Sequence, residues 1–337
     1  MKNPEQEQSK KNEILAGPPS SVLNLGYDLN LSVRIGSLIM PNPVGVASGT
    51  FGYGEEYDEL VHIDALGALY TKAVTLEPRE GNPPPRLVET PMGLINSIGL
   101  ANPGVEKFLR EKLPSLRTRL CPIIVNVAGS TEDDYIQVIE RIEAHLASTD
   151  SGRPGIDGYE INVSCPNVHK GGMSFGIDPR LVERLTHSLR QKTSRPLIIK
   201  LSPNVTDIAE IARAAEAGGA DAISCINTVV GMVIDTEKMK PAIAMGTGGL
   251  SGPAIRPIGV AATYKVGKAV RIPVIGLGGI TNASDAIQYL LAGALAVQVG
   301  TALFSDPRAP LKVLDGIIEW MKRHSVHSVS DIRFMLR

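Results

Sequence analysis

Between Gly158 and Gly176 the chain reads GYEINVSCPNVHKGGMSFG, a run that sets one thiol among amides and glycines. Tyr159, Ile161 and Val163 share one phase of a two-residue period, and Glu160, Asn162 and Ser164 share the other. That alternation predicts a strand with one buried face. The strand should stop at Cys165-Pro166, because proline fixes its own φ, lacks an amide donor and biases the preceding residue away from helix. A thiol with an ordinary pKa of ~8.5 becomes a base or nucleophile when a neighbouring cation favours its thiolate. Asn162 and Asn167 flank it, and Gly171, Gly172 and Gly176 suit a flap over a bound molecule. Taken alone, Cys165 also reads as a small hydrophobe at a strand end, so its surroundings must decide.

Those surroundings repeat one pattern. Apolar runs suited to buried strands occur at Val44–Ala47, Ala68–Ala73, Ile123–Val127, Gly158–Val163, Leu197–Leu201, Ala222–Ile226, Val274–Leu277 and Ala296–Val299. Amphipathic stretches predict helices at Glu55–Val61, Val105–Arg119, Asp133–Ala147, Pro179–Lys192, Asp207–Ala217, Ile258–Val270, Ala283–Ala292 and Pro310–Lys322. Eight such units in 337 residues favour an α/β fold of the (β/α)8 TIM-barrel type over a doubly wound sheet. Its core would be parallel and eight-stranded, with inserted loops over the carboxyl-terminal face. Residues 1–29 mix lysine with glutamate, then proline with serine, and read as a flexible arm ahead of a barrel domain at 30–337. The arm has neither the apolar core of a secretory signal nor the arginines of a mitochondrial presequence.

Composition excludes several classes of partner. A hydrophobic content of 43% suffices for one large core, while 4% aromatics offers little for stacking nucleobases. The formal net charge of −1 provides no basic field for nucleic acid or an anionic membrane. No apolar run reaches the roughly eighteen residues of a membrane span. Cys121, Cys165 and Cys225 stand far apart, without a C-x-x-C pair or a histidine cluster, which suits a reducing cytoplasm and predicts no metal centre.

In a barrel of this kind the working residues lie at the carboxyl ends of the strands. Ser48, Gly49 and Thr50 follow the first strand, Lys72 ends the second, Asn126 the third, and Asn162 and Cys165 the fourth. Lys200 ends the fifth, Asn227 and Thr228 the sixth, Gly278 and Gly279 the seventh, and Gly300 and Thr301 the eighth. A lysine in a barrel mouth is costly to bury unpaired, so Lys72 and Lys200 are expected to meet anionic or carbonyl groups of a ligand rather than to form structural ion pairs. GLGGI and QVGTA can present backbone amides to a phosphate. GTGGLSG, from Gly246 to Gly252, misses the dinucleotide spacing and reads as a further anion-facing loop.

These blocks carry a family resemblance. NPVGVASGTFGYG, NSIGLANPG (Asn96 to Gly104), NVSCPN, KLSPNVTD, INT and GLGGI, in that order from about Leu31 onward, are similar to class 1 dihydroorotate dehydrogenases, flavin enzymes of pyrimidine synthesis. The continuation VHKGGMSFGIDP after SCPN resembles the class 1B, NAD-linked catalytic subunit rather than the fumarate-using class 1A form. Membrane-bound class 2 enzymes differ in their serine base and amino-terminal membrane helix. The arm ahead of Leu31 is longer than the family pattern.

The resemblance implies FMN held by Ser48, Lys72, Ala73, Asn126, Asn162, Lys200, Ile226, Gly252, Gly278, Gly279, Gly300 and Thr301. It implies dihydroorotate against the flavin, touched by Lys72, Asn96, Ser97, Ile98, Gly99, Leu100, Asn162, Asn227 and Thr228. Cys165 would take the proton from C5 while hydride leaves C6. A carboxylate and a cyclic ureide call for a cation and planar donor-acceptor groups, which lysine and asparagine supply. A partner subunit bearing FAD and a 2Fe-2S cluster would pass electrons to NAD, in a heterotetramer built on a homodimer. Competing readings are a flavin barrel for another dihydropyrimidine, a fumarate-linked enzyme, and a flavin-binding scaffold without turnover.

Overall fold

The computed structural model describes residues 29–149, 154–164 and 175–336. Apart from Leu29, the expected arm lies outside the described residues, as do Cys165, Asn167, Gly171 and Gly172. A short antiparallel hairpin, β1 (Val33–Ile35) and β2 (Leu38–Met40), precedes the main body. The barrel strands are β3 (Val44–Val46), β4 (Ala68–Tyr70), β7 (Ile123–Val127), β8 (Gly158–Asn162), β9 (Leu197–Lys200), β10 (Ala222–Cys225), β15 (Val274–Leu277) and β16 (Ala296–Val299). They pair in sequence order, all parallel, and β16 returns to β3 to close the ring. The eight expected strands are therefore present, each within its expected run.

A closed parallel sheet is covered by helices outside and filled by side chains inside, so its strands need apolar residues on both faces. Sequences such as IIV at 123–125 and LII at 197–199 meet that demand, and β7 and β9 are buried throughout. The expected single buried face of β8 is corrected by the same geometry. Tyr159 and Glu160 are both fully buried, because the polar phase of the strand faces the barrel interior instead of water.

Helices return the chain between strands, and short polar residues start them. Thr131 and Asp134 form a capping box for Glu132–Ser148; Asp178, Asp207 and Asn282 cap Pro179–Arg190, Ile208–Ala217 and Ala283–Leu291. Arg256–Ala269 and Ala309–Arg323 complete the set of long helices among the described residues. Two expected helices differ. Glu55–Val61 is reduced to a 3-10 turn at Glu55–Tyr57 that buries none of its side chains. Val105–Arg119 ends at Leu116 and contains a π turn at Phe108–Lys112, just before Pro114, whose missing amide cannot close an ordinary helical bond.

Two insertions build a lid over the carboxyl-terminal face. β5 (Leu87–Thr90) and β6 (Gly93–Asn96) follow β4; β11 (Val229–Gly231) and β14 (Gly248–Ser251) follow β10. They join as one antiparallel sheet in the order β11-β14-β6-β5. GTGGLSG is thus corrected from a loop to a loop running into strand β14. Between β11 and β14, the pair β12 (Ile234–Asp235) and β13 (Lys240–Pro241) projects outward, with Met232, Ile234, Met239 and Met245 exposed. No helix among the described residues is long and apolar enough to cross a membrane.

Candidate active site

Glu160 lies at the centre of a polar layer just below the barrel mouth. Its Oε2 accepts from Asn126 Nδ2 at 2.7 Å and from Lys200 Nζ at 3.3 Å, and its Oε1 accepts from Ser224 Oγ at 2.9 Å and Gln298 Nε2 at 2.8 Å. Those partners belong to β7, β9, β10 and β16. Since β8 and β16 stand on opposite sides of the ring, the bond from Gln298 must cross the interior. A carboxylate has about four acceptor sites, and here donors fill them. Breaking a buried pair such as Glu160–Lys200 by removing one partner would cost about 3–5 kcal/mol.

Lys200 continues this network upward. Its side chain is 5% exposed, and its ammonium also donates to Ser48 Oγ at 3.3 Å, on the tip of β3 opposite. The sequence argument against a structural ion pair is corrected here: Lys200 is paired with Glu160, and it still reaches the rim. A third N–H of the ammonium has no acceptor among the described residues. Asn126 Oδ1 is buried and accepts nothing among the described residues, so a donor and an acceptor remain unspent in one layer. Tyr70 lies there too, with its hydroxyl buried and unbonded. Burial, then the Glu160 charge, raises the Tyr70 phenol far above its usual pKa.

The rim above is tied together through backbone and amide contacts. Asn162 Oδ1 accepts from Ser164 N at 3.2 Å and Asn227 Nδ2 at 3.3 Å, while Tyr135 donates to the Asn162 carbonyl at 2.8 Å. Asn227 Oδ1 in turn accepts from Thr228 N at 2.8 Å. Lys72 lies two residues beyond the end of β4, not within it as expected. Asn126 brackets it, donating from its backbone to Thr71 Oγ1 at 3.3 Å and accepting from Val74 N at 2.8 Å. Among the described residues no acceptor bonds the Lys72 ammonium, which is half-buried. Ala73 and Ile226 are buried neighbours of Lys72 and Asn227 in the chain.

The lid brings in Asn96 to Leu100. Asn96 Nδ2 donates to the Gly249 carbonyl at 3.2 Å. Asn82 braces the turn beyond, donating from Nδ2 to Ser97 Oγ at 2.8 Å and from its backbone to Ile98 O at 3.0 Å. Gly99 and Leu100 adopt φ of +75° and +56°, and Asn102 Nδ2 donates to Leu100 O at 2.8 Å. Thr228 touches this unit from the other insertion: a Cβ added at Gly249 would lie 2.1 Å from Thr228 Oγ1.

On the opposite arc, three loops converge. A Cβ added at Gly279 would stand 2.6 Å from the Gly252 carbonyl, and one added at Gly252 would stand 3.6 Å from Thr301 Cγ2. Gly300 backs onto Ala47 in the same way, at 3.2 Å. Gly252, Gly278 and Gly279 have φ of +95°, +124° and +69°, which only glycine adopts readily. Among the described residues no acceptor bonds the backbone amides of Gly252, Gly279 or Thr301. Unspent amides between a glycine pair and a helical start make an anion cradle.

These features test whether FMN suits the site. A phosphate would find the amide cradle, and a flat ring with both donor and acceptor edges would find the Lys200 N–H and Asn126 Oδ1. The donor set fits. Glu160, Ser224, Gln298, Tyr70, Asn82 and Asn102 were missed by the sequence reasoning, though a glutamate inside an otherwise buried strand run was a visible sign. Cys165, expected next to this rim, lies outside the described residues, one position past Ser164.

A closed parallel barrel with a polar mouth, an anion cradle and a lid defines a phosphate-cofactor-binding enzyme class. Within it, residues 30–321 match the family model described as dihydroorotate dehydrogenase, and the chain belongs to that family. Similar proteins include one from Desulforamulus reducens, 49% identical over 304 residues, covering 90% of this chain and 97% of the relative. Another, from Bacteroides fragilis, is 50% identical over 303 residues with the same coverage. A third, from Trichlorobacter lovleyi, is 47% identical over 302 residues, again covering 90% and 97%. Each of the three is named dihydroorotate dehydrogenase B (NAD(+)), catalytic subunit.

Proposed function

We propose that this chain is the FMN-bearing catalytic subunit of an NAD-linked dihydroorotate dehydrogenase, oxidising (S)-dihydroorotate to orotate in de novo pyrimidine biosynthesis. The observation that carries the reading is the pairing of a glycine amide cradle with a rim of asparagines and a Lys72 ammonium that no acceptor bonds among the described residues, in a chain of that family. FMN, when bound, supplies the acceptor for the hydride that leaves C6. Gly252, Gly278, Gly279, Gly300 and Thr301 would hold its phosphate. Ser48, Ala73, Asn126, Lys200 and Ile226 would line the seat of its ring. Asn96 to Leu100, Asn162, Asn227 and Thr228 would hold the planar ureide, with Lys72 neutralising the carboxylate and sharing the cofactor edge. Cys165 would remove the C5 proton as thiolate.

Electrons would leave through a partner subunit carrying FAD and a 2Fe-2S cluster, in a cytoplasmic heterotetramer built on a homodimer. Support for assembly comes from the word "subunit" in the relatives' names and from the apolar side chains exposed on the β12–β13 excursion, a concentration that suits association. The test is an acceptor assay on the purified chain, with and without the product of its neighbouring gene, offering NAD, fumarate and quinone. NAD reduction should require the partner. Efficient fumarate reduction by the chain alone would place it with the fumarate-linked enzymes.

A further inference from the structure

We infer that Glu160 is a positioning residue that sets the charge of the cofactor seat by pairing with Lys200, so that a bound flavin experiences a nearly neutral pair instead of a bare cation. The inference rests on the proposal that FMN occupies the barrel mouth. Glu160 is fully buried and takes no part in the proposed chemistry, yet it accepts hydrogen bonds from four strands of the ring. A buried carboxylate is expensive unless paired and hydrogen-bonded, and a barrel needing only to be filled is served at lower cost by leucine or valine. What this carboxylate holds is the ammonium of Lys200, fixed between Glu160 Oε2 below and Ser48 Oγ above, each at 3.3 Å. Its field extends beyond that pair, since the Tyr70 phenol is raised partly by the Glu160 charge.

The consequence is electrostatic. Reduction adds electrons to the ring system, so an uncompensated cation at the seat favours the reduced cofactor, and low-dielectric surroundings amplify the effect. Glu160 opposes that bias. Asn126, which donates to the same carboxylate and whose Oδ1 accepts nothing among the described residues, is oriented by the same device. One carboxylate therefore positions both unspent groups, the Lys200 donor and the Asn126 acceptor.

The test is the equilibrium reduction potential of bound FMN, measured against reference dyes in wild type, Glu160→Gln and the double variant Glu160→Gln/Lys200→Gln, each saturated with FMN. Glutamine keeps the side-chain size and removes the charge; its oxygen can accept from Asn126, and its amide can donate to Ser224 Oγ and, once that side chain is turned, to Gln298 Oε1. The single variant should favour reduced FMN by at least tenfold, about 30 mV for a two-electron couple. An unchanged potential would overturn the inference. The double variant provides an independent reading if the single one does not fold. Removing the pair together should leave the redox equilibrium within a few-fold of wild type, whereas a drop of tenfold or more would mean that the flavin feels Lys200 alone. Failure of wild type to bind FMN would instead sink the proposed function, so the two failures are distinguishable.

Discussion

Cys225 and Cys165 contain the same thiol, and the surroundings of Cys225 limit what that one can do. Cys225 ends β10 in the core, where burial pushes its pKa up to about 12 and the nearby Thr263 hydroxyl, 3.6 Å away, offsets this only in part. Cys121 is buried as well. Thiolate is the reactive form, so a thiol held this high stays inert at physiological pH. Iodoacetamide at pH 8 should therefore alkylate Cys165 in the folded protein and spare Cys225, and Cys165→Ser should retain FMN but slow its reduction by at least ~100-fold, the upper part of the range for a lost general base falling higher still. Peptide mapping and stopped-flow absorbance check the two parts. Modification of Cys225, or unchanged reduction in the serine variant, would contradict the assignment. At this scale the sequence is uneven. Lys200 and Asn162 announce themselves as polar residues at strand ends, but Glu160 alternates with Tyr159 and Ile161 and so reads as solvent-facing, since nothing local distinguishes water from the inside of a closed ring.

The lid sheet depends on contacts between two insertions far apart in the chain. Asn96 meets Gly249 across 153 positions, and Gly249 lies against Thr228 so closely that a methyl group would come 2.1 Å from its Oγ1. Gly249→Ala should push β14 away from Thr228 and unsettle Asn96, while the cradle proposed for phosphate at Gly279 and Thr301 stays in place. Overpacking of this kind costs about 1–3 kcal/mol. The expected result is a KM for dihydroorotate raised about tenfold or more, with FMN content unchanged, and an unaltered KM would show that the lid does not hold substrate. Such an element is hard to read from sequence. GGLS has weak strand propensity and forms a strand because β6 offers it an edge, a long-range event without a local signature. The 3-10 turn at Glu55–Tyr57 failed as a helix for the opposite reason, since it buries no face that would repay helical order. Pro114 marks the disturbance in Val105–Leu116, and the periodicity that predicted a helix through to Arg119 passed over it.

At the scale of the whole molecule, the barrel was legible because its eight strands need apolar residues on both faces, and runs of that kind stand out between amphipathic helices. Closure then does what no single run reveals: it brings Ser48 to Lys200 and Gln298 to Glu160 from opposite sides of the ring. The strand tips could be read from sequence as candidates for a site, and the polar layer beneath them could not. Everything proposed for this chain requires that those tips hold FMN within reach of dihydroorotate. The direct measurement is the absorbance of the purified, FMN-loaded protein near the flavin maximum after anaerobic addition of dihydroorotate, with dihydrouracil and dihydrothymine as controls. The account predicts stoichiometric loss of the yellow colour with dihydroorotate and none with the controls; colour that persists with dihydroorotate, or that fades equally with dihydrouracil, would contradict it.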